Sequence, residues 1–558
     1  MDAYDADPSH PASRNYTRLL IASAVVITLV GAALRLATVG ELSYFGDEAA
    51  TLRWCREPVS RILSSYGRGL TSHLHILLVK PWLAVAGASP LAAKLPSLLA
   101  GICLLPAICF ATRRWLGREV ALVATACAAL SQPLIYFSRV ARVYMLMTLL
   151  LLLTMAVFLS ALRNGRRRDL VLLALLDCAL LTASLHAVYV VLIQGGVLLF
   201  ALLSPQRSKR PASERRTLPA VAVPLATSVV LGAAFYIAAL PQIAAVRNLW
   251  TDAPMRPSMI WGSFAWNHPS LPAVFLALVA LGAWSAWRRN PRVGQLLVLW
   301  TLLPPVFYVL QSPSLGDGHI ARFLVPTLPA HLLLASCALD DLAALVVGRR
   351  RGWRLGAALV VAVPLMLASP QAREAAFVER LPFQPALDAL TENAGPEDLL
   401  TTFGYPPFVE LIQYQQELRA VPIHAVVENP TGGGGGRLLI VTIDLPRAVP
   451  RWRREFEVEL IEHPRFRHRL YVLASRPRDA GPDAYLEPLR TFFLGMVEAA
   501  DAGNRLHQTP YHHLQTLART HEHLAALAEL AGDDEAARRH ALTCERIRRQ
   551  ARQAADLR

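Results

Sequence analysis

The stretch HLHILLVKPWLAVAG, residues 73–87, decides how this chain threads the membrane. It is apolar enough to pass for a span, but a helix needs about 20 apolar residues to cross the hydrocarbon. This one is shorter and carries Lys80 and Pro81. Read as an interfacial or re-entrant helix on the outer face, it leaves every arginine cluster on one side of the membrane. Read as a span, it inverts everything downstream and turns those clusters outward, RRWLGR and RNGRRR among them.

Working outward from it, apolar runs lie at roughly 18–39, 90–112, 119–137, 143–162, 170–186, 187–203, 218–239, 271–287, 293–311, 322–346 and 355–370, about eleven spans in all. With residue 1 in the cytoplasm, RRWLGR (113–118), RNGRRR (163–168), SKRPASERR (208–216), RRNPR (288–292) and GRRRGWR (348–354) all face the cytoplasm. Composition agrees with an integral membrane protein, because hydrophobic residues make up 54% of the chain and charged residues only 17%. The net charge of +15 sits in short clusters between apolar runs, so it describes cytoplasmic loops and not a nucleic-acid surface. Seven cysteines are scattered, most of them in apolar runs, and imply neither a disulfide framework nor a metal site. Residues 1–16 are polar and the run after them is longer than a signal-peptide core, so the first span is expected to be retained.

This threading puts outside the membrane the loop 40–89, the turn SRVARVY (138–144), the Trp-rich loop 240–270, SPSLGDGHIAR (312–322) and everything after 370. Residues 371–482 mix polar helical stretches with β-type runs, DLLTTFG (398–404), VPIHAVV (421–427), RLLIVTI (437–443) and RLYVLA (469–474). They predict a small extracytoplasmic α/β domain. TGGGGGRLL within it is a flexible loop and lacks the spacing of a phosphate-binding fingerprint. Residues 483–558 read as helical, with Gly532-Asp533-Asp534 turning between two amphipathic runs as in a helical hairpin. The expected fold is thus a polytopic α-helical membrane domain (1–370), the α/β domain and a helical tail.

Four outward pieces carry chemistry: Asp47 with Glu48; His73 and His75 followed by Lys80; Ser138, Arg139, Arg142 and Tyr144; and His319 with Arg322. Acid, imidazole and guanidinium on one membrane face suit transfer of a sugar from a lipid phosphate. An acceptor hydroxyl has a high pKa and needs a carboxylate to take its proton as it attacks the anomeric carbon. The departing lipid phosphate is a stable anion and needs only fixed positive charge, for which arginine offers a bidentate fork.

ALRLATVGELSYFGDEAATL, SHLHILLVKPWLAVAGASPLAAKLPSLLAG, SQPLIYFSRVARVYML and HIARFLVPTLPAHLLL, in that order, resemble the C-type glycosyltransferase superfamily (GT-C). The likeness is to its bacterial branch, related to protein O-mannosyltransferases, aminoarabinose transferases and rhizobial galacturonosyltransferases, and covers roughly residues 18–370. The resemblance implies an acidic catalytic residue in the first outer loop, falling on Asp47 with Glu48 beside it. It also implies a histidine opening the next segment, at His73, and basic residues in these loops that hold the lipid phosphate. It implies a polyprenyl-phosphate sugar donor, a glycan, lipid or protein acceptor, and a place in the bacterial inner membrane. The chain departs from the family where His73-Leu74-His75-Ile76 replaces the common His-Pro-Pro-Leu, and where Tyr144 stands at a position that is acidic in some relatives. No metal or other cofactor is carried over; a divalent metal is left open.

Plainer readings stand beside these. Asp47 also suits the N-cap of an interfacial helix, and adjacent helical residues point about 100° apart, so Asp47 is read as the base and Glu48 as an orienting group. His73 and His75 also suit anchors at the headgroup level, and Arg139, Arg142 and Arg322 suit snorkelling side chains. Arg35, inside the first span, reads as structural, either snorkelling or paired with an acid. His186, His319, Trp250, Trp261 and Trp266 are candidate cavity-lining residues, with a buried histidine and an aromatic belt as the alternatives. A transporter and a non-catalytic scaffold of the same fold are the rival functions.

Overall fold

The structure is a computed structural model that describes residues 11–37, 39, 46–65, 72–87, 89–203, 212–249, 272–311, 323–348, 351–367, four strands between 399 and 476, a few positions between 490 and 497, and 510–556. The chain divides into two compact units, residues 1–39 with 57–378, and residues 40–56 with 379–558.

The first unit is helical, as hydrocarbon demands of a backbone that must satisfy its own polar groups. Its helices are α1 (Pro11–Leu36), α3 (Val59–Ser64), α4 (His73–Ala86), α5 (Pro90–Leu116), α6 (Arg118–Leu130), α7 (Gln132–Ser138), α8 (Tyr144–Asn164), α9 (Arg167–Ala183), α10 (Tyr189–Leu203), α11 (Ala212–Leu249), α12 (Pro272–Arg289), α13 (Pro291–Gln311), α14 (Leu328–Val347) and α15 (Arg351–Leu367). Helix α2 (Gly46–Arg56) falls in the second unit. Where they are described, the expected apolar runs lie mostly on helical backbone. Among the described residues five helices are long and apolar enough to cross a membrane, or six if a bent pair counts as one span.

That bent pair covers the expected run 119–137 and divides it in two. Helices α6 and α7 meet at 59°. Ser131 is extended (φ −63°, ψ 112°) and Pro133 opens α7, so the ladder of α6 stops there.

Helix α4 begins and ends at the same end of the bundle. His75 hydrogen-bonds the backbone of Ala141, and the indole N–H of Trp82 donates to the carbonyl of Ala92 at 2.9 Å. Ser97, just inside α5, donates to the carbonyl of Arg142 at 2.9 Å. The segment 73–86 is thus tied at both ends to residues at one end of the bundle.

The opposite end gathers the arginine-rich links. Arg118 donates to Thr17 at 2.9 Å, Thr217 to the carbonyl of Leu162 at 2.9 Å, and Arg289 to Asp340 at 2.8 Å. Arg354 also pairs with Asp340, which is buried. A continuous apolar core runs from α5 to α15, with the Trp300 indole N–H donating to the carbonyl of Pro326 at 2.9 Å. Helix α1 turns Leu19, Val26 and Leu29 outward, an apolar face suited to lipid.

In the second unit β1 (Leu399–Phe403), β2 (Leu438–Ile443), β3 (Glu457–Ile461) and β4 (Leu470–Arg476) form a sheet of order β1-β2-β4-β3. β1 and β2 are parallel, with Leu399 opposite Leu438; β4 runs antiparallel to both β2 and β3. β1, β2 and β4 coincide with expected runs. β3 was not anticipated, because EVELI alternates glutamate with apolar residues in too short a run, and VPIHAVV lies outside the described residues. Helices α16 (Pro510–Leu530) and α17 (Asp534–Asp556) pack together across a turn in which Gly532 adopts φ +71° and Asp533 accepts from the Ala536 N–H at 3.0 Å.

Candidate active site

The break in the third span creates the site's scaffold. Because α7 is only seven residues long, the chain leaves it at Ser138 and passes through a tight turn before α8 starts at Tyr144. The N–H of Arg142 closes on the carbonyl of Val140 at 2.7 Å, and Ser97 holds the Arg142 carbonyl. A Cβ on Gly101 would stand 2.0 Å from the Ser138 hydroxyl, so glycine is required for α5 to lie this close to α7.

Arg139 is buried and donates to the carbonyl of Ala37, the residue after α1, at 2.5 Å. Part of its fork therefore caps a helix C-terminus, where a cation is favourable. This corrects the snorkelling reading of Arg139. Arg142 is half-buried and its charge is felt by His75.

His75 is buried. Burial first, then the Arg142 charge, push its pKa down to about 4, against the pull of its bond to the Ala141 backbone. The ring is neutral at pH 7, and its Nε2 is buried with no hydrogen-bond partner among the described residues. With the other nitrogen committed to Ala141, Nε2 is a lone-pair acceptor suited to a hydroxyl. Burial likewise pushes His73 down to about 4, opposed by its bond to the Ile62 backbone. Neither histidine is a cation in the resting site, nor an exposed headgroup anchor.

Tyr144 is buried at the start of α8, edge-on to Phe137 (5.0 Å, 71°) and to Phe323 (6.0 Å, 69°). Its hydroxyl also has no hydrogen-bond partner among the described residues. The hydroxyls of Tyr189, Thr154 and Thr301 share that condition elsewhere in the bundle; the Tyr144 hydroxyl differs in opening the helix that follows the Arg142 turn.

The structure therefore brings His75, Arg139, Arg142 and Tyr144 to one end of the bundle. His73 opens the same helix as His75, and Lys80 is half-buried further along it. His186 lies in the short 3-10 turn Leu185–Val188 between α9 and α10. Asp47 and Glu48 lie in the first turn of α2, Glu48 buried, in the second unit. His319, Arg322, Trp250, Trp261 and Trp266 lie outside the described residues. No three His, Cys, Asp or Glu side chains gather as a metal site among the described residues.

Sequence reasoning passed over Lys94, Ser97 and Gly101, spaced along one face of α5, the face that meets the turn 138–142. Lys94 is buried. A lone lysine in an apolar run was the available signal.

No known family model matches this chain, and no curated protein sequence does either. Solved structures do. ArnT from Cupriavidus metallidurans in the apo state matches with a TM-score of 0.51 at 14% identity, over 83% of this chain and 98% of that one. The archaeal oligosaccharyltransferase AglB from Archaeoglobus fulgidus, in complex with an inhibitory peptide and a dolichol-phosphate, matches with a TM-score of 0.51 at 12% identity, over 84% and 78%. The fold is that of the C-type membrane glycosyltransferases.

Proposed function

We propose that this multi-pass membrane protein is a glycosyltransferase that moves a sugar from a polyprenyl-phosphate donor to a glycolipid, polysaccharide or protein acceptor at the outer face of the bacterial inner membrane. A shared fold does not by itself carry an activity, so the reading leans on the site. One observation carries it: His75 and Tyr144, both singled out as site residues from sequence, hold buried polar atoms with no hydrogen-bond partner among the described residues, beside the Arg142 turn. AglB, of the same fold, is an oligosaccharyltransferase seen with a dolichol-phosphate, which agrees with that chemistry.

In this reading Arg142, with Arg139, Arg322 and Lys80, offsets the charge that builds on the departing lipid phosphate. His75 and Tyr144 accept and donate hydrogen bonds to the phosphosugar. Asp47 takes the proton of the attacking hydroxyl and Glu48 orients the sugar. A single displacement then inverts the anomeric carbon. The N-terminus is cytoplasmic, about eleven helices span, and the extracytoplasmic residues 371–482 form an α/β domain that engages the acceptor, with 483–558 as its helical tail.

The test is transfer and lipid binding measured side by side on the purified full chain. Asp47→Asn should lower turnover by roughly a hundredfold or more while undecaprenyl phosphate still binds. Arg142→Met should weaken that binding. Unchanged turnover in Asp47→Asn would point to a scaffold, and substrate flux into vesicles with no glycosyl product would point to a transporter. Mass spectrometry of envelope glycolipids and glycoproteins from a deletion strain identifies the sugar.

A further inference from the structure

Arg35 was read as structural, snorkelling or paired with an acid; among the described residues the partners of its hydrogen bonds are main-chain carbonyls and a hydroxyl. It is wholly buried and four of its N–H donors are accounted for. Nη1 donates to the carbonyls of Gly31 (2.9 Å) and Ala129 (3.2 Å), Nη2 to the carbonyl of Ala128 (3.0 Å), and Nε to the hydroxyl of Ser138 (3.2 Å). Ser138 passes its own proton to the carbonyl of Leu134 at 2.5 Å.

Two of these acceptors, the carbonyls of Ala128 and Ala129, are groups orphaned by the break between α6 and α7. In an unbroken helix the Ala129 carbonyl would receive the N–H of residue 133, and Pro133 has none. Ala128 and Ala129 sit in the last turn of α6, whose ladder stops at Ser131. With no water in the hydrocarbon, such carbonyls must find donors within the protein. The close approach this needs is built in: a Cβ on Gly31 would lie 2.9 Å from the Ala129 Cβ and 3.2 Å from its Cα. The fourth bond reaches across the bend to Ser138, the last residue of α7 and the first of the turn that carries Arg139 and Arg142.

We infer that Arg35 is a positioning residue, which supplies the donors that Pro133 and the Ser131 break remove and so holds the bent span and the Ser138–Tyr144 turn in place for an anionic ligand. It acts through the turn and touches no substrate. Its structural half stands on the hydrogen bonds alone; the ligand half rests on the phosphate-lipid reading above.

The experiment uses the purified full chain with two readouts: amide hydrogen exchange over residues 131–144, and affinity for undecaprenyl phosphate. Arg35→Met should raise exchange in that segment and weaken the lipid by roughly tenfold. Pro133→Ala restores a backbone donor for the Ala129 carbonyl, so Arg35→Met should do less damage in that background than in the wild type, on both readouts. A side chain that merely fills the bundle would show no such coupling. If Arg35→Met fails to fold, Arg35→Lys, which keeps the charge but loses the fork, is read the same way. Unchanged exchange, or equal damage with and without Pro133, overturns the inference. Raised exchange with unchanged lipid affinity overturns its ligand half. If the wild type itself binds no undecaprenyl phosphate, the functional reading fails and exchange alone decides the role of Arg35.

Discussion

The two ends of the helical bundle both hold arginines in place, and use them in opposite ways. At the end of the arginine-rich links, Arg289 and Arg354 converge on the buried carboxylate of Asp340, so that charge meets charge and α12, α14 and α15 are pinned together. At the other end, Arg35 and Arg139 donate to main-chain carbonyls of α6 and α1 and to a serine hydroxyl. The first arrangement neutralises itself and serves the fold. In the second, guanidinium donors meet main-chain carbonyls and a hydroxyl beside a histidine that burial keeps neutral.

Breaking the ion network should have the largest effect on stability. Asp340→Ala removes the carboxylate both arginines share and should cost about 3 kcal/mol, read as loss of thermal stability in detergent, with little effect on undecaprenyl phosphate binding. Helix contacts give the next test. A Cβ on Gly282 would stand 1.8 Å from the backbone oxygen of Leu334, which cannot rotate away, whereas on Gly101 it meets the side chain of Ser138. Gly282→Ala should therefore cost about 2 kcal/mol in stability alone. Gly101→Ala should cost about 1 kcal/mol, be relieved in part by Ser138→Ala, and weaken lipid binding as well. Equal effects of the two glycine variants on lipid binding would erase the distinction between the ends.

The smallest effect is on pH. The folded-state pKa of His75, about 4, lies below its ordinary value of 6.5, so protonation opposes folding. The stability that His75 contributes is present above pH 6.5 and is lost as pH falls through about 4. His75→Gln should flatten that part of the acid limb in thermal melts taken at stepped pH. An unchanged slope would mean that His75 is accessible to protons and not buried against Ala141.

Much of the fold was legible because span length, proline and arginine placement are local. Pro81 and a short apolar run led to the reading of 73–87 as a helix that does not cross, and the bonds at Trp82 and His75 tie it to one end of the bundle. The bend at Ser131 was missed although Pro133 was in plain view, because hydropathy averages over a run and does not see one absent N–H. Among site residues, the turn at Arg142 and Tyr144 was legible from polar side chains placed at a span end. The charge state of His75 was not, since it depends on burial by residues distant in sequence.

By itself, then, the sequence determined that this chain lives in a membrane as a bundle of apolar helices, and which polar residues stand where apolar ones are expected. Only the tertiary structure decided what those polar groups do. A guanidinium has the same donors wherever it sits, and whether they meet a carboxylate, a proline-orphaned carbonyl or a ligand depends on which helix packs beside it. That choice rests on glycine-sized contacts such as Gly31 on Ala129 and Gly101 on Ser138, where a single methyl group would move the acceptor out of reach.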